Sequence, residues 1–535
     1  MIAFENLYGD HTGATQGSVV RAALDRYMIA SKFHCFVGDN ATSNDGELIK
    51  SLNLHPNINI SADNRIRCAG HIINLVVKAT IYGNGVSRWE EEIAAAAPKD
   101  QFQKFRELGV VGKLHNFVNA VCASHKRREL FLSMQTDDDD EALYTYNTLQ
   151  LRQAGGVRWH SVYLMLLRCL ELKDSIKRFI RHLRHEQPDE LDYSPITDAL
   201  SDDDWDDVTE LVDFLQAPYE LTKRLEGSTS VSGFGSLWQT LPNLQALWAH
   251  YDEASERPHT QRNQYFESAV SYGKVKLDSY FDLVLLQPDV SFYAVATALH
   301  PKLRLGWFKT QWKHFPHWYR KAETSIRRVF KQYTEAAEEA EDELHLPAPS
   351  RRKLAGSGKN TLYERTMEVD LHLLTNAKGK RTKRVSQLDE YFDSLLFDYT
   401  SGSETELLLL DSDDPWAWWL QVGRERYPIL FKIAGDYLSI PSTSCECERS
   451  FSKARRTISD DRNKLGGTTI EAIQLQKSWL RHGVVKSSLN DLEILVRKAD
   501  KNQLGRVAAS QASDSFSAPS RASSSFGQSE SSYCQ

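Results

Sequence analysis

Phe33-His-Cys-Phe-Val-Gly-Asp39-Asn-Ala-Thr-Ser-Asn-Asp45 is the stretch from which the fold is read. Its first five residues are compact and largely apolar, which predicts a short strand. Gly38, Asp39 and Asn40 stop it, and a helix is expected from about Asp45 to Leu52. On the N-terminal side, Ile2 to Tyr8 reads as a further strand ending at Gly9-Asp10. Gly17 to Ala30 reads as an amphipathic helix, because Val19, Val20, Ala23, Leu24 and Tyr27 recur at helical spacing. On the other side, Arg65 to Val77 carries a strand running into a helix. Strands and helices alternating through short loops predict a parallel or mixed α/β sheet.

From about residue 85 to 345 the pattern turns almost wholly helical, with Val162 to Leu170 and the amphipathic Glu323 to Glu343 as examples. The fold class is therefore α/β plus all-α. Within this region Asp137 to Glu141 and Asp202 to Asp207 read as solvated acidic loops rather than metal sites. Residues 346–404 read as a linker carrying the basic cluster Lys378 to Arg384, a nuclear-import signal, a phosphate contact or a solvated patch. The chain is compact again over residues 405–490. Residues 503–535, rich in Ser and Ala, bury too little apolar surface to offset the entropy of ordering and are expected to be disordered.

The chain has 535 residues and a net charge of −7, which excludes a uniformly basic nucleic-acid coat but not a local basic groove. No apolar run approaches the ~18 residues of a membrane span, so no membrane partner is expected. The opening Met1-Ile-Ala-Phe-Glu-Asn lacks the basic and apolar regions of a signal peptide. Seven scattered cysteines make no disulfide framework, which suits a reducing compartment.

Asp39, a carboxylate at a strand's C-terminal end, is a common place for a magnesium ligand and an equally ordinary turn former. Cys68-Ala-Gly-His71 offers two zinc ligands where a structural site needs four, so a buried structural pair is expected. Cys122 with His125 repeats the spacing by chance. Near the other end lies Pro441-Ser-Thr-Ser-Cys-Glu-Cys-Glu448-Arg-Ser-Phe-Ser452, a helix start. Glu446 and Glu448 are two apart, so only one of them can enter a given site.

These residues carry a resemblance. Asp414-Pro-Trp-Ala-Trp-Trp419, Tyr427-Pro-x-Leu430, Leu438-Ser-Ile-Pro441, Glu448-Arg-Ser-Phe-Ser452, Arg462-Asn-Lys-Leu465 and Thr469 to Leu480 resemble the C-terminal dimerisation region of hAT-superfamily transposases, of a fungal type. Asp39 to Asp45, Arg67-Cys-Ala-Gly-His71-Ile-Ile-Asn-Leu75 and Gly156-Val-Arg-Trp159-His-Ser161 are similar to the catalytic half of the same family. The resemblance implies an RNase H-like core, residues 1–84 with 405–490, interrupted by a helical insertion at 85–345. It implies a DDE site in which two Asp and one Glu hold two Mg²⁺ ions, with Asp39 as the second Asp and Glu448 as the Glu. Arg158 and Trp159 would lie near the cleaved DNA end, where an indole stacks on an unpaired base. Read without the resemblance, Trp159 is a core residue.

The family's first Asp lies upstream of the segment matching Met1 to Tyr8, and its N-terminal zinc finger is not matched. The expectation is a chain truncated at its N-terminus: a degenerate or domesticated transposase remnant in the nucleus that binds itself, with double-stranded DNA of transposon ends as a further partner. No strand cleavage is expected from these residues. The alternative is an active DDE transposase whose first strand and finger are missing from the gene model, with Mg²⁺ as cofactor. Two apolar faces support self-association. One holds Trp418, Trp419, Tyr427 and Leu430; the other holds Ile470, Ile473, Trp479 and Leu480, on a helix capped by Thr468 with Glu471 and ended by Gly483. By pattern alone the two faces could equally pack on each other within one chain; the resemblance turns the expectation toward a dimer.

Overall fold

The computed structural model describes residues 1–5, 7, 9, 11–40, 46–83, 85–135, 148–155, 159–185, 194–227, 235–257, 263–344, 386–393, 414–458, 465–481 and 483–485. The basic cluster Lys378 to Arg384, the acidic run Asp137 to Glu141, Arg158 and the C-terminal tail lie outside them, whereas Gln387–Asp393, within the expected linker, is a helix whose Leu388 and Tyr391 join the core. Contacts divide the chain into two compact units, Gly9–Arg449 and a smaller one formed by Met1–Tyr8 with Ser450–Gln535.

The larger unit begins with α1 (Gly13–Arg26), capped by the Thr12 side chain, which accepts from the Thr15 amide. The helix thus starts four residues before the apolar periodicity does. It lies close against α2 (Glu47–Leu52): a Cβ added to Gly17 would sit 2.5 Å from that of Ser51, so only glycine permits the approach. Leu24, Leu48, Leu52 and Ile60 form a small core there.

Between these helices and the rest runs a two-stranded parallel sheet. Its strands are β1 (Phe36–Gly38) and β2 (Arg65–Arg67), with Phe36 opposite Arg65 and Gly38 opposite Arg67. Two buried anchors hold β2 in place. The Tyr293 hydroxyl accepts from the Arg67 amide at 2.6 Å and donates to its carbonyl, while Asp63 accepts from the amides of Asp289 and Val290 at 2.7 and 2.8 Å. The expected strand over Ile2 to Tyr8 is absent among the described residues, which are irregular there.

Past β2 the unit is helical, as its periodicity predicts. α3 (Ala69–Tyr82) is apolar nearly all round and buried, packing on a long helix over Gln264–Leu285. There follow α4 (Val86–Ala95), α5 (Pro98–Arg106), α6 (Val110–Ala123), α7 (His125–Ser133), α8 (Trp159–Glu171), α9 (Lys173–His185) and α10 (Asp202–Gly227). The acidic run at Asp202 is not a loop. It is the first turn of α10, where carboxylates complement the helix dipole and Asp204 accepts from Lys113 at 2.9 Å.

After α11 (Thr240–Glu256) come α12 (Gln264–Leu285), α13 (Phe292–Ala298), α14 (Arg304–Gln311), α15 (Pro316–Leu344) and α16 (Gln387–Asp393). Residues 415–426 form α17, opened by Asp414 accepting from the Trp416 amide and widened to a π turn over Trp419–Gly423. α18 is Pro428–Leu438 and α19 is Cys445–Thr457. One apolar core runs from Ile66 to Ile440. No helix among the described residues is long and apolar enough to cross a membrane.

In the smaller unit α20 (Gly467–Arg481) ends as expected. Gly483 is left-handed at φ +66°, the Val484 amide returns to Trp479 and the Gly483 amide to Leu480. The start differs from expectation. The Ile470 amide bonds the Gly466 carbonyl at 3.1 Å, so Thr468 lies inside the first turn and is not the cap. Met1 is tied to this helix: Trp479 Nε1 donates to its carbonyl at 2.9 Å, and Phe4 packs on Phe451 with ring centroids 5.5 Å apart. These contacts occupy the segment expected to be a strand.

Candidate functional site

Three chain segments distant in sequence meet at the carboxyl ends of β1 and β2. The Cys68 amide donates to the Gly38 carbonyl at 2.8 Å, and the Ala69 amide to Ser442 at 2.8 Å. The Cys68 thiol, buried, accepts from the Ser444 amide at 3.3 Å. The Cys68 sulfur is thus engaged by the backbone that leads into α19. Behind the 442–445 segment, Ser236 and Ser442 share a buried hydroxyl pair at 2.7 Å. A Cβ on Gly235 would fall 2.2 Å from the Ile440 carbonyl oxygen, so the two backbones touch there. This lock fixes the start of α19 against the start of α3.

The result is that Asp39, His71 and Glu448 share one neighbourhood. Asp39 is exposed at the end of β1, and its backbone carbonyl accepts from the buried Arg65 guanidinium, which also bonds Gly38 and Ile66. Glu448 is half-buried and accepts from the Ser444 hydroxyl at 3.4 Å. Glu446 points away and pairs with Arg449 at 2.8 Å, as the two-residue spacing requires. His71 feels both remaining acids. Burial lowers its pKa below the ordinary 6.5, the charges of Asp39 and Glu448 work to raise it, and Lys78 and Arg65 work to lower it. The net direction leaves a neutral imidazole within the influence of two carboxylates at neutral pH. Sequence reading grouped His71 with Cys68 as a structural pair and missed this placement. Its position four residues past the end of β2, like that of Asp39 one past the end of β1, was the available signal.

Among the described residues no three His, Cys, Asp or Glu side chains are gathered closely enough to hold a metal ion. Asp39 and Glu448 fit part of the Mg²⁺ arrangement expected from the resemblance, and among the described residues no third donor joins them, so no step through a metal is derived. Cys122 and His125 gather no further ligands among the described residues.

Trp159 opens α8 and is buried, with its ring stacked on His160 at 4.5 Å and Tyr219 edge-on at 6.5 Å. It lines a cavity of about 360 Å³ with Lys78, two turns beyond His71 on α3. The indole is a core residue in this conformation. Trp418, Trp419, Tyr427 and Leu430 are also core: each is at most 1% exposed, packed around Tyr391 and Leu299 of the same chain. A contact between copies needs other side chains. Ile470, Ile473, Trp479 and Leu480 remain half-buried, and Phe451 and Ile458 of the same small unit are 59% and 40% exposed.

Two family descriptions match the chain. The hAT family C-terminal dimerisation region matches residues 388–480, and the ZBED1 RNase-like helical domain matches residues 66–214. The chain is similar to the putative transcriptional regulator tpeD of Talaromyces stipitatus, at 24% identity over 89% of this chain and 49% of that protein. It is similar to the putative AC transposase of Zea mays, at 23% over 92% of this chain and 55% of that one. It is also similar to the zinc finger BED domain-containing protein DAYSLEEPER of Arabidopsis thaliana, at 23% over 62% and 41%. The chain spans about half the length of these relatives.

Proposed function

We propose that the chain, an hAT-family, transposase-like protein with that family's dimerisation region, is a catalytically degenerate, nuclear, self-associating member. The observation that carries this reading is that two carboxylates, Asp39 and Glu448, act on the charge of His71 while no group of three side chains able to hold a metal is gathered among the described residues. The parallel β1–β2 pair, with α3 and the start of α19 against its carboxyl end, supports an RNase H-like core in which a DNA phosphodiester would be the original substrate. Relatives described as a transcriptional regulator and as BED zinc finger proteins support a nuclear setting, with double-stranded DNA as a second partner. Self-association is assigned to the small unit, through Ile470, Ile473 and Leu480 with Phe451, because the aromatic residues of α17 are covered within one chain.

The full chain at micromolar concentration should sediment as a dimer or larger, and Ile473→Asp should shift it to monomer with unchanged circular dichroism. No DNA nicking should follow addition of Mg²⁺ or Mn²⁺. A monomeric wild-type chain sinks the association reading. Metal-dependent nicking that is lost in Asp39→Asn or Glu448→Gln sinks the degenerate reading and makes the protein an active DDE enzyme whose third carboxylate comes from elsewhere.

A further inference from the structure

Positive charge is concentrated on α7 and α9 although the chain as a whole is acidic, at −7. α7 holds Lys126, Arg127 and Arg128 against one acid, Glu129. α9 holds Lys173, Lys177, Arg178, Arg181 and Arg184 against one, Asp174. On α9 the spacing of Lys173, Lys177, Arg181 and Arg184 places all four on one stripe, ~16 Å long at 1.5 Å per residue. Ile176, Phe179 and Ile180 are buried on another face.

The destinations of these cations differ. Arg127 and Arg128 donate to the carbonyls of Ala120 and Cys122 at the end of α6, and Arg178 to Met134 at the end of α7, so their charge meets no carboxylate in those bonds. Lys177 pairs with Asp202 at 2.5 Å, and Lys173 lies over the Trp205 ring. Lys126, Arg181 and Arg184 are exposed and meet no carboxylate of the described residues within ion-pair distance. Arg181 and Arg184, with Lys177, line a notch of about 260 Å³. Of the two acids that line it, Asp198 is already taken by Arg106 at 2.5 Å and Asn116 at 3.0 Å, and Asp202 by Lys177. α15 shows the contrast: its Arg327, Arg328 and Lys331 each have a carboxylate, at 2.7, 3.0 and 3.4 Å.

We propose that the stripe of α9, extended by Lys126 of α7, is a docking surface for the phosphate backbone of double-stranded DNA. The inference rests on the reading of the chain as a DNA-handling hAT relative and adds where the duplex lies. A duplex presents about one charge per 1.7 Å, roughly ten along this stripe. Phe179 of α9 is edge-on to Phe131 of α7 at 5.6 Å and to Phe117 of α6 at 6.0 Å, so the helices that carry the cations are set in place before binding. No large apolar side chain of α7 or α9 is exposed. Protein partners are gripped by such anchors, and a phosphate backbone needs none.

The test uses the full chain and a labelled 30-base-pair duplex of arbitrary sequence, with anisotropy followed from 50 to 200 mM KCl. The Lys126→Gln, Arg181→Gln, Arg184→Gln triple variant should show a slope of log affinity against log salt shallower by ~2.7, about 0.9 for each phosphate left unneutralised. Its affinity at 50 mM should fall at least tenfold. Arg181→Lys with Arg184→Lys should keep the slope, and Lys331→Gln on α15 should leave binding unchanged. An unaltered slope in the triple variant overturns the proposal. So does a wild-type chain that ignores the duplex and binds a polyglutamate peptide through these residues, which would make the partner an acidic protein. A dimer that binds no DNA at all overturns the docking surface and leaves self-association standing.

Discussion

Trp419→Ala should weaken the fold, not the association between copies. Trp419 is fully buried, edge-on to Trp418 at 5.1 Å and 5.4 Å from Tyr391, and its indole N–H donates to the Leu299 carbonyl at 2.8 Å. The walls of the space it would vacate are braced: Arg304 lies over the Tyr391 ring at 4.7 Å and bonds its carbonyl at 3.0 Å. The site therefore collapses little, and truncation falls in the range of ~3–5 kcal/mol for a large aromatic. Removal of the hydrogen bond contributes only ~1 kcal/mol of this, because the Leu299 carbonyl keeps a donor in the Tyr391 hydroxyl at 3.2 Å. Trp419→Phe, which drops the N–H and keeps most of the ring, should cost ~1–2 kcal/mol. Urea unfolding followed by circular dichroism would show a large fall in midpoint for the alanine variant and a small one for phenylalanine. Sedimentation of the folded proteins without urea should match wild type. An alanine variant with the wild-type midpoint that sediments as a monomer would refute the packing argument and return Trp419 to an interface.

Two histidines give further tests. His115 stacks on Phe105 at 3.7 Å, and burial pushes its pKa down to about 4. The unfolded chain, at 6.5, binds more protons, so the neutral ring's contribution is complete above pH 6.5 and is lost as the pH falls toward 4. The loss is ~3 kcal/mol at about 1.4 kcal/mol per unit, and His115→Gln should flatten the decline between unfolding midpoints measured at about pH 7 and pH 4.5. For His71, removing either neighbouring charge by Asp39→Asn or Glu448→Gln should lower its pKa further. An upward move in an NMR titration of histidine-labelled protein would show that the carboxylates do not face this ring.

What could be read from the sequence was local. Gly38 and Asp39 end a strand, Cys68 precedes a helix, and Glu446 and Glu448 diverge, because each depends on a few neighbouring residues and on fixed helical or strand periods. The site itself was legible only through resemblance, since no local pattern in Asp39 reports Glu448. The surroundings of Trp418 and Trp419 were hidden for a related reason. Their amphipathic spacing says that a face is covered and is silent on what covers it, and the cover, Leu299 and Tyr391, comes from other parts of the chain. The N-terminal segment shows the same limit. Ile2 to Tyr8 has strand-like composition, but Trp479 and Phe451 claim it first.

The lock between Ser236, Ser442 and the start of α3 also sets a schedule for synthesis. The Ala69 amide and the Cys68 thiol have no native partners until residues 442–444 leave the ribosome. At ~5–20 residues per second that is roughly 20–75 s after α3 itself emerges. Throughout that interval the nascent chain carries a short parallel pair and an apolar helix with one side open, a surface that chaperones bind and neighbouring nascent chains can stick to. A ribosome stalled before residue 442 would therefore display a late-stage helical body whose carboxylate corner is still unassembled. Yield in cells should depend on elongation rate through the last third of the message more than on any codon near its start.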